Sequence, residues 1–203
     1  YLLERAAGLQ PRRSVDFLYF DYGTDGLSAN LFADHLVRRN LRMSRWAEWA
    51  ARANEMLPKP EPHRATVAFR DLQEFADTRR LLAKFPQQID LTAEEEALGR
   101  SLLGKMGVPP DRPFICVHVR EAAYWQTRKE GIDDSSDFRN SRIENYFEAM
   151  LAAADRGYFV LRLGAGAAQP LPDLHPNIID YATKHRTEFM DVFLAFRCSL
   201  MVS

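Results

Sequence analysis

His118 and Arg120 stand two residues apart at the end of the apolar run "FICVHVR", which reads as a buried strand. Extended backbone sends residues i and i+2 to one face, so both side chains leave the sheet together. Paired donors of this kind, one of them a planar guanidinium, suit an anionic ligand such as a diphosphate. Further donors stand in segments expected at the same edge: Arg139 in "DFRNS", and His185 and Arg186 in "HRTEF". Left alone, these cations would repel one another. A bound anion resolves that conflict. Taken singly, His118 reads better as a satisfied core histidine and Arg120 as an edge salt bridge, so the functional reading rests on the convergence of these donors.

The elements that must position them are legible from Leu91 onward. Thr92 and Glu95 form a capping box, with Leu98, Leu102 and Met106 on the helix face behind it and Gly107 at its stop. The strand "FICVHVR" follows. Ser141 and Glu144 form a second capping box, backed by Ile143, Phe147, Met150, Leu151 and Ala154, with Gly157 at the end. "YFVLRLG" and "NIIDYA" are strands, Thr187 caps a helix carrying Phe189, Met190, Phe193, Leu194 and Phe196, and "CSLMVS" is a last strand. Continuous apolar strands alternating with helices indicate a Rossmann-like α/β domain with a parallel sheet. Ligands of open α/β sheets bind beyond the carboxyl ends of the strands. That edge is expected to gather Asp21, His118 with Arg120, Arg162 with Gly164, Asp180 with Tyr181, and Ser203.

Upstream, "SVDFLYF" reads as a strand over Val15–Phe20, followed by a turn-rich loop and a helix from Leu31 to about Arg39. A second helix after Ser44 carries Trp46, Trp49, Ala50, Ala53 and Met56 on one stripe. It is expected to pack its tryptophans into the domain, a resting place on a membrane surface being the lesser alternative. The prolines of "PKPEP" end that helix, and residues 63–90 give no consistent period. Two α/β units follow, 1–90 and 91–203. The chain opens at Tyr1 inside a helical pattern and closes at Ser203 directly after a strand, which reads as truncation at both ends.

Several chemistries fail on composition or spacing. A net charge of −1 provides no field for nucleic acid. No apolar run approaches the ~20 residues that span a bilayer. "LGAGAAQ" has Gln169 where a dinucleotide fingerprint needs its third glycine, and Pro170, Pro172 and Pro176 forbid the helix that should follow. "FDYGTDG" has Gly23 where a paired-aspartate phosphatase needs its second carboxylate. "DDSSD", Asp133 to Asp137, reads as a solvated loop in preference to a magnesium site, and the five histidines have no zinc spacing. No metal site is therefore expected. Cys116 and Cys198 read as two buried thiols of a cytoplasmic protein.

The segments "FPQQIDLTAEEEALGRSLLGKMGVPPDRPFICVHVREAAYW", "DFRNSRIENYFEAMLAAADRGYFVLRLG" and "NIIDYATKHRTEFMDVFLAFRCSLMVS" resemble a bacterial group of glycosyltransferases of surface-polysaccharide biosynthesis. The resemblance covers roughly residues 85–203, and the H-x-R element is also similar to that of the fucosyltransferase superfamily. It implies a GT-B architecture, with residues 1–90 in the acceptor-side domain and 91–203 in the nucleotide-sugar domain. It further implies metal-independent transfer of a sugar from a nucleotide-sugar to a glycan or lipid-linked acceptor, in the cytoplasm, with room for peripheral contact at the inner face of the membrane. His118 and Arg120 match the H-x-R element, and Arg120 would grip the donor β-phosphate. Asp180 and Tyr181 fall where the third-strand loop nears the base or ribose, while Arg139, Asn140, His185 and Arg186 fall in motif segments without fixed roles. Two departures stand out: Ala123 replaces the aspartate of H-x-R-x-x-D, and the glycine-rich turn expected after Ser203 is not in this stretch, which alone is expected to be inactive. The resemblance leaves the catalytic base between Asp21 and Asp137. A non-catalytic nucleotide- or anion-binding module is the alternative from another class.

Overall fold

Four short apolar runs in the second half of the chain pair into one parallel sheet: β1 (Phe114–His118), β2 (Phe159–Leu163), β3 (Ile178–Ile179) and β4 (Leu200–Val202). The structure is a computed structural model that describes residues 1–10, 14–19, 28–58, 80–119, 141–167 and 169–203. The chain divides into two compact units, Tyr1–Asp90 and Leu91–Ser203.

In the second unit the strand order is β3-β2-β1-β4, so the chain steps outward from β1 to β3 and then crosses back to the other side of β1. Parallel strands need covered crossovers, and each face of the sheet has its helices. On one face lie α5 (Ala93–Lys105) and α8 (Glu188–Arg197), packing Leu103, Met190, Phe193 and Leu194 against Phe114, Cys116, Leu161 and Leu163. On the other lies α6 (Phe147–Asp155), packing Met150 with Ile143 against Val117, Val119 and Val160. The link from β2 to β3 contains no helix among the described residues, as its three prolines require. A one-turn helix α7 (Tyr181–Lys184) follows β3 directly.

The local signals behave unevenly. The Thr92–Glu95 box is present in both directions, with Thr92 Oγ1 accepting from the Glu95 amide at 3.2 Å and Glu95 Oε2 from the Thr92 amide at 2.7 Å. Gly107 and Gly157 take φ of +89° and +88° at their helix ends, where a side chain would be strained. The box expected at Ser141 does not form. Arg142 precedes a 3₁₀ turn over Ile143–Tyr146 with no side-chain cap, and Ser141 Oγ instead accepts from Asn145 Nδ2 at 3.5 Å. Tighter i→i+3 winding moves the third amide away from the position a capping box needs. In α5 the inward residues are Gly99 and Leu103, with Leu102 and Met106 beside them, whereas Leu98 is 51% exposed.

The first unit has four helices among its described residues: α1 (Leu2–Ala6), α2 (Leu31–Asn40), α3 (Arg45–Asn54) and α4 (Leu81–Lys84). Asn30 caps α2 by accepting from the Ala33 amide at 2.8 Å, and Ser44 caps α3 through the Trp46 amide at 3.3 Å. The expected strand at Val15–Phe20 is reduced, among the described residues, to a single parallel bridge between Leu18 and Met43. Strand propensity there finds only one bridging residue, and Val15, Phe17 and Tyr19 remain exposed. The tryptophans of α3 also reverse expectation: Trp46 is 78% and Trp49 65% exposed. Among the described residues, no helix is long and apolar enough to cross a membrane.

Candidate functional site

The sheet order reverses at β1, so the crevice between the carboxyl ends of β1 and β4 is the place where such folds leave room for a ligand. His118 ends β1 there and is exposed, although Val117 and Val119 on either side of it are buried under α6. Alternation puts His118 on the opposite face, the side of Phe114 and Cys116. Val117 pairs with Val202, so one further step of the same register brings His118 level with Ser203, which is exposed as well. Arg120, Arg139 and Asn140 lie outside the described residues, as do Asp21, Ala123 and "DDSSD".

At the neighbouring strand end, β2 leads into Gly164 and Gly166, with φ of +148° and +81°. These are conformations that side chains rarely adopt, and they let the chain turn sharply off the sheet. Arg162, two residues before, points the other way. It is 1% exposed, donates to the Gln169 carbonyl at 2.6 Å, and stands 3.6 Å from Asp180 Oδ1. Asp180 Oδ2 accepts from the Leu171 amide at 2.9 Å and from the Thr183 hydroxyl. Its Oδ1 makes no hydrogen bond among the described residues and rests on the ion pair alone. Arg162 and Asp180 thus fasten the middle of the loop that begins at Gly164, at Gln169 and Leu171.

Tyr181 follows Asp180 into the core and is fully buried. Its hydroxyl accepts from the Thr187 amide at 3.1 Å, with the Thr187 carbonyl at 2.9 Å and Asp191 Oδ1 at 2.8 Å within donating reach. Burial, chiefly, pushes its ionisation far above the ordinary phenol range. Any part it has in ligand binding is therefore indirect, through the turn before α8. Replacing it with phenylalanine leaves the Thr187 amide without this partner and should cost about 1–3 kcal/mol, read as a lowered urea midpoint. An unchanged midpoint would show that the turn holds without the hydroxyl.

That turn bears His185 and Arg186. Because β4 starts at the amino edge, α8 must begin at the carboxyl edge, on the same face as His118. His185 is exposed. Arg186 is paired with Asp191 Oδ2 at 2.8 Å, so part of its charge is already answered. Glu188 and Asp191 in the first turn of α8, and Thr187 Oγ1 on the Met190 amide at 3.1 Å, also occupy that helix start. Asp191, which joins Tyr181 to Arg186, had no separate signal in the sequence beyond the usual preference for acids in a first helical turn.

Two surface cavities lie away from His118. One of about 420 Å³ flanks β3 and is walled by Leu171, Pro172, His175, Pro176, Asp180 and Lys184, among others. The second, about 290 Å³, lies at the amino end of β1 and is rimmed by Arg100, Arg112 and Arg197. Cys116 and Cys198 are free, and burial raises both thiols above their ordinary range. Among the described residues, no cluster of three or more His, Cys, Asp or Glu side chains could hold a metal ion. Comparison with protein families, with curated proteins and with solved structures found no match for this chain.

Proposed function

We propose that residues 91–203 are the donor-binding half of a GT-B-type glycosyltransferase that moves a sugar from a nucleotide-sugar to a glycan or lipid-linked acceptor. The observation that supports this most is His118, exposed at the carboxyl end of β1 where a parallel sheet of order β3-β2-β1-β4 reverses. In this reading Arg120 and His118 hold the diphosphate. As the glycosidic bond breaks, negative charge gathers on that leaving group, and fixed cations stabilise it. Side-chain cations supply the countercharge that a divalent ion provides elsewhere. His185 and Ser203 complete the rim. Arg162 and Asp180 act one step back, through the loop that starts at Gly164.

Titration of the chain with nucleoside diphosphates tests this. Arg120→Lys keeps the charge but loses the planar fork, and should weaken binding roughly tenfold, the loss of one charge-assisted bond. An affinity unchanged by Arg120→Lys removes Arg120 from the phosphate, and the absence of any nucleoside diphosphate binding removes the donor site. Binding without sugar transfer or donor hydrolysis would favour a non-catalytic nucleotide-binding module.

A further inference from the structure

Helix α3 is amphipathic in the wrong direction for a helix that helps to build a core. Trp46, Trp49, Ala50 and Ala53 follow the i, i+3, i+4, i+7 spacing of a single stripe. In a globular unit that stripe should face inward. Here Trp46, Trp49, Ala50 and Ala53 are all exposed, and the helix has no buried residue. Small or polar residues, Ala47, Glu48, Ala51 and Asn54, are the half-buried ones. The apolar surface continues past the helix end, where Met56 is 87% and Leu57 58% exposed.

Charge decides what kind of partner this face suits. Residues 38–57 contain five arginines against two glutamates, in a chain whose net charge is −1. Arg45 and Arg52 border the stripe, both exposed; the Arg52 guanidinium lies 5.8 Å from the centre of the Trp49 ring and holds Glu48 at 2.7 Å, a surface pair that a lipid phosphate can replace. Tryptophan beside arginine is the composition of a helix lying in a lipid interface: the rings enter the headgroup–acyl boundary while the guanidinium groups meet lipid phosphates. Tryptophan and arginine also anchor protein interfaces; the excess of cations of one sign in residues 38–57 is what favours an anionic lipid surface here. We propose that α3 docks the first unit on an anionic membrane surface, lying in its plane with Trp46 and Trp49 inserted and Arg45 and Arg52 at the phosphates.

Co-sedimentation of the full chain with vesicles tests the assignment. Binding is expected to phosphatidylcholine vesicles containing phosphatidylglycerol, with much less to phosphatidylcholine alone, and it should weaken as salt rises. Trp46→Ala combined with Trp49→Ala should lower partitioning at least roughly tenfold, because inserted apolar area sets the affinity. Arg45→Gln should lower it about fivefold, the share of one cation near an anionic surface. Both tryptophans are largely exposed, so thermal unfolding of the double variant should match the parent. Brominated acyl chains should quench the parent's fluorescence and leave the double variant, whose remaining tryptophan is Trp125, unquenched. Failure to bind anionic vesicles overturns the proposal, as does binding that the double variant retains. A tryptophan-dependent dimer without vesicle binding would assign the face to a second copy of the chain and overturn it equally.

Discussion

Arg162→Met should destabilise the second unit by about 3–5 kcal/mol, the usual cost of removing one partner from a buried ion pair. Its side chain and that of Asp180 are 1% and 3% exposed, so water cannot replace the missing charge. The variant leaves the Gln169 carbonyl without its 2.6 Å donor and Asp180 Oδ1 without the ion pair on which it rests. Asp180 Oδ2 would keep the Leu171 amide and the Thr183 hydroxyl, which is too little to offset a buried carboxylate. Arg162→Met joined to Asp180→Asn should recover part of the loss, since the amide keeps an acceptor for Leu171 and removes the unpaired charge. Urea unfolding of the parent, both single variants and the double variant closes the cycle. A loss below about 1 kcal/mol for Arg162→Met would show that the pair does not hold the loop after Gly164. The same variants bear on function: if Arg162 acts through that loop, nucleotide affinity should fall in proportion to the lost order, without a change in the salt dependence that a direct phosphate contact would cause.

What was legible in the sequence was chiefly what a few neighbouring residues decide together. Thr92 and Glu95 reach each other across one helical turn, and Thr187 reaches the Met190 amide in the same way, so four residues of sequence contain the geometry. The apolar runs at Phe114 and Phe159 similarly announce strands buried on both faces. Ser141 failed because winding, not composition, decides whether the third amide comes within reach. At Val15–Phe20 a strand-like composition met a partner that supplies only the bridge at Met43, and pairing is a tertiary matter. The tryptophan stripe of α3 was visible as a stripe, but which way a stripe faces depends on what the rest of the unit presents to it. At the site, His118 and Ser203 could be expected at one sheet edge from the α/β alternation. The engagement of Arg186 and Tyr181 with Asp191 could not, because it depends on how the turn of Thr187 folds back.

Gly99 is the least legible residue of the core and allows a sharp test. A helix interior usually gains about 1 kcal/mol when glycine becomes alanine, because the backbone gives up less freedom. Hydropathy gave Gly99 no role and assigned the inward face to Leu98, yet Leu98 is half exposed and Gly99 is buried. The absent side chain lets α5 settle on α8: a Cβ at position 99 would stand 2.1 Å from two carbons of the Phe193 ring. That ring is 1% exposed but also lines the cavity of about 290 Å³ at the amino end of β1, and the Glu96–Arg197 bond at 2.7 Å ties the same two helices together. Relief therefore requires the ring to leave its packed position toward that cavity or the helices to part, and overpacking of that kind costs about 3 kcal/mol at the upper end of its common range. The clash exceeds the helical gain, so Gly99→Ala should lose about 2 kcal/mol net. Gly104 lies in the same helix with nothing within 4 Å of its would-be Cβ, so Gly104→Ala should gain about 0.5–1 kcal/mol. Chemical denaturation of the two variants should move the midpoints in opposite directions. Stabilisation by both substitutions would show that α5 does not approach Phe193 as closely as the structure has it.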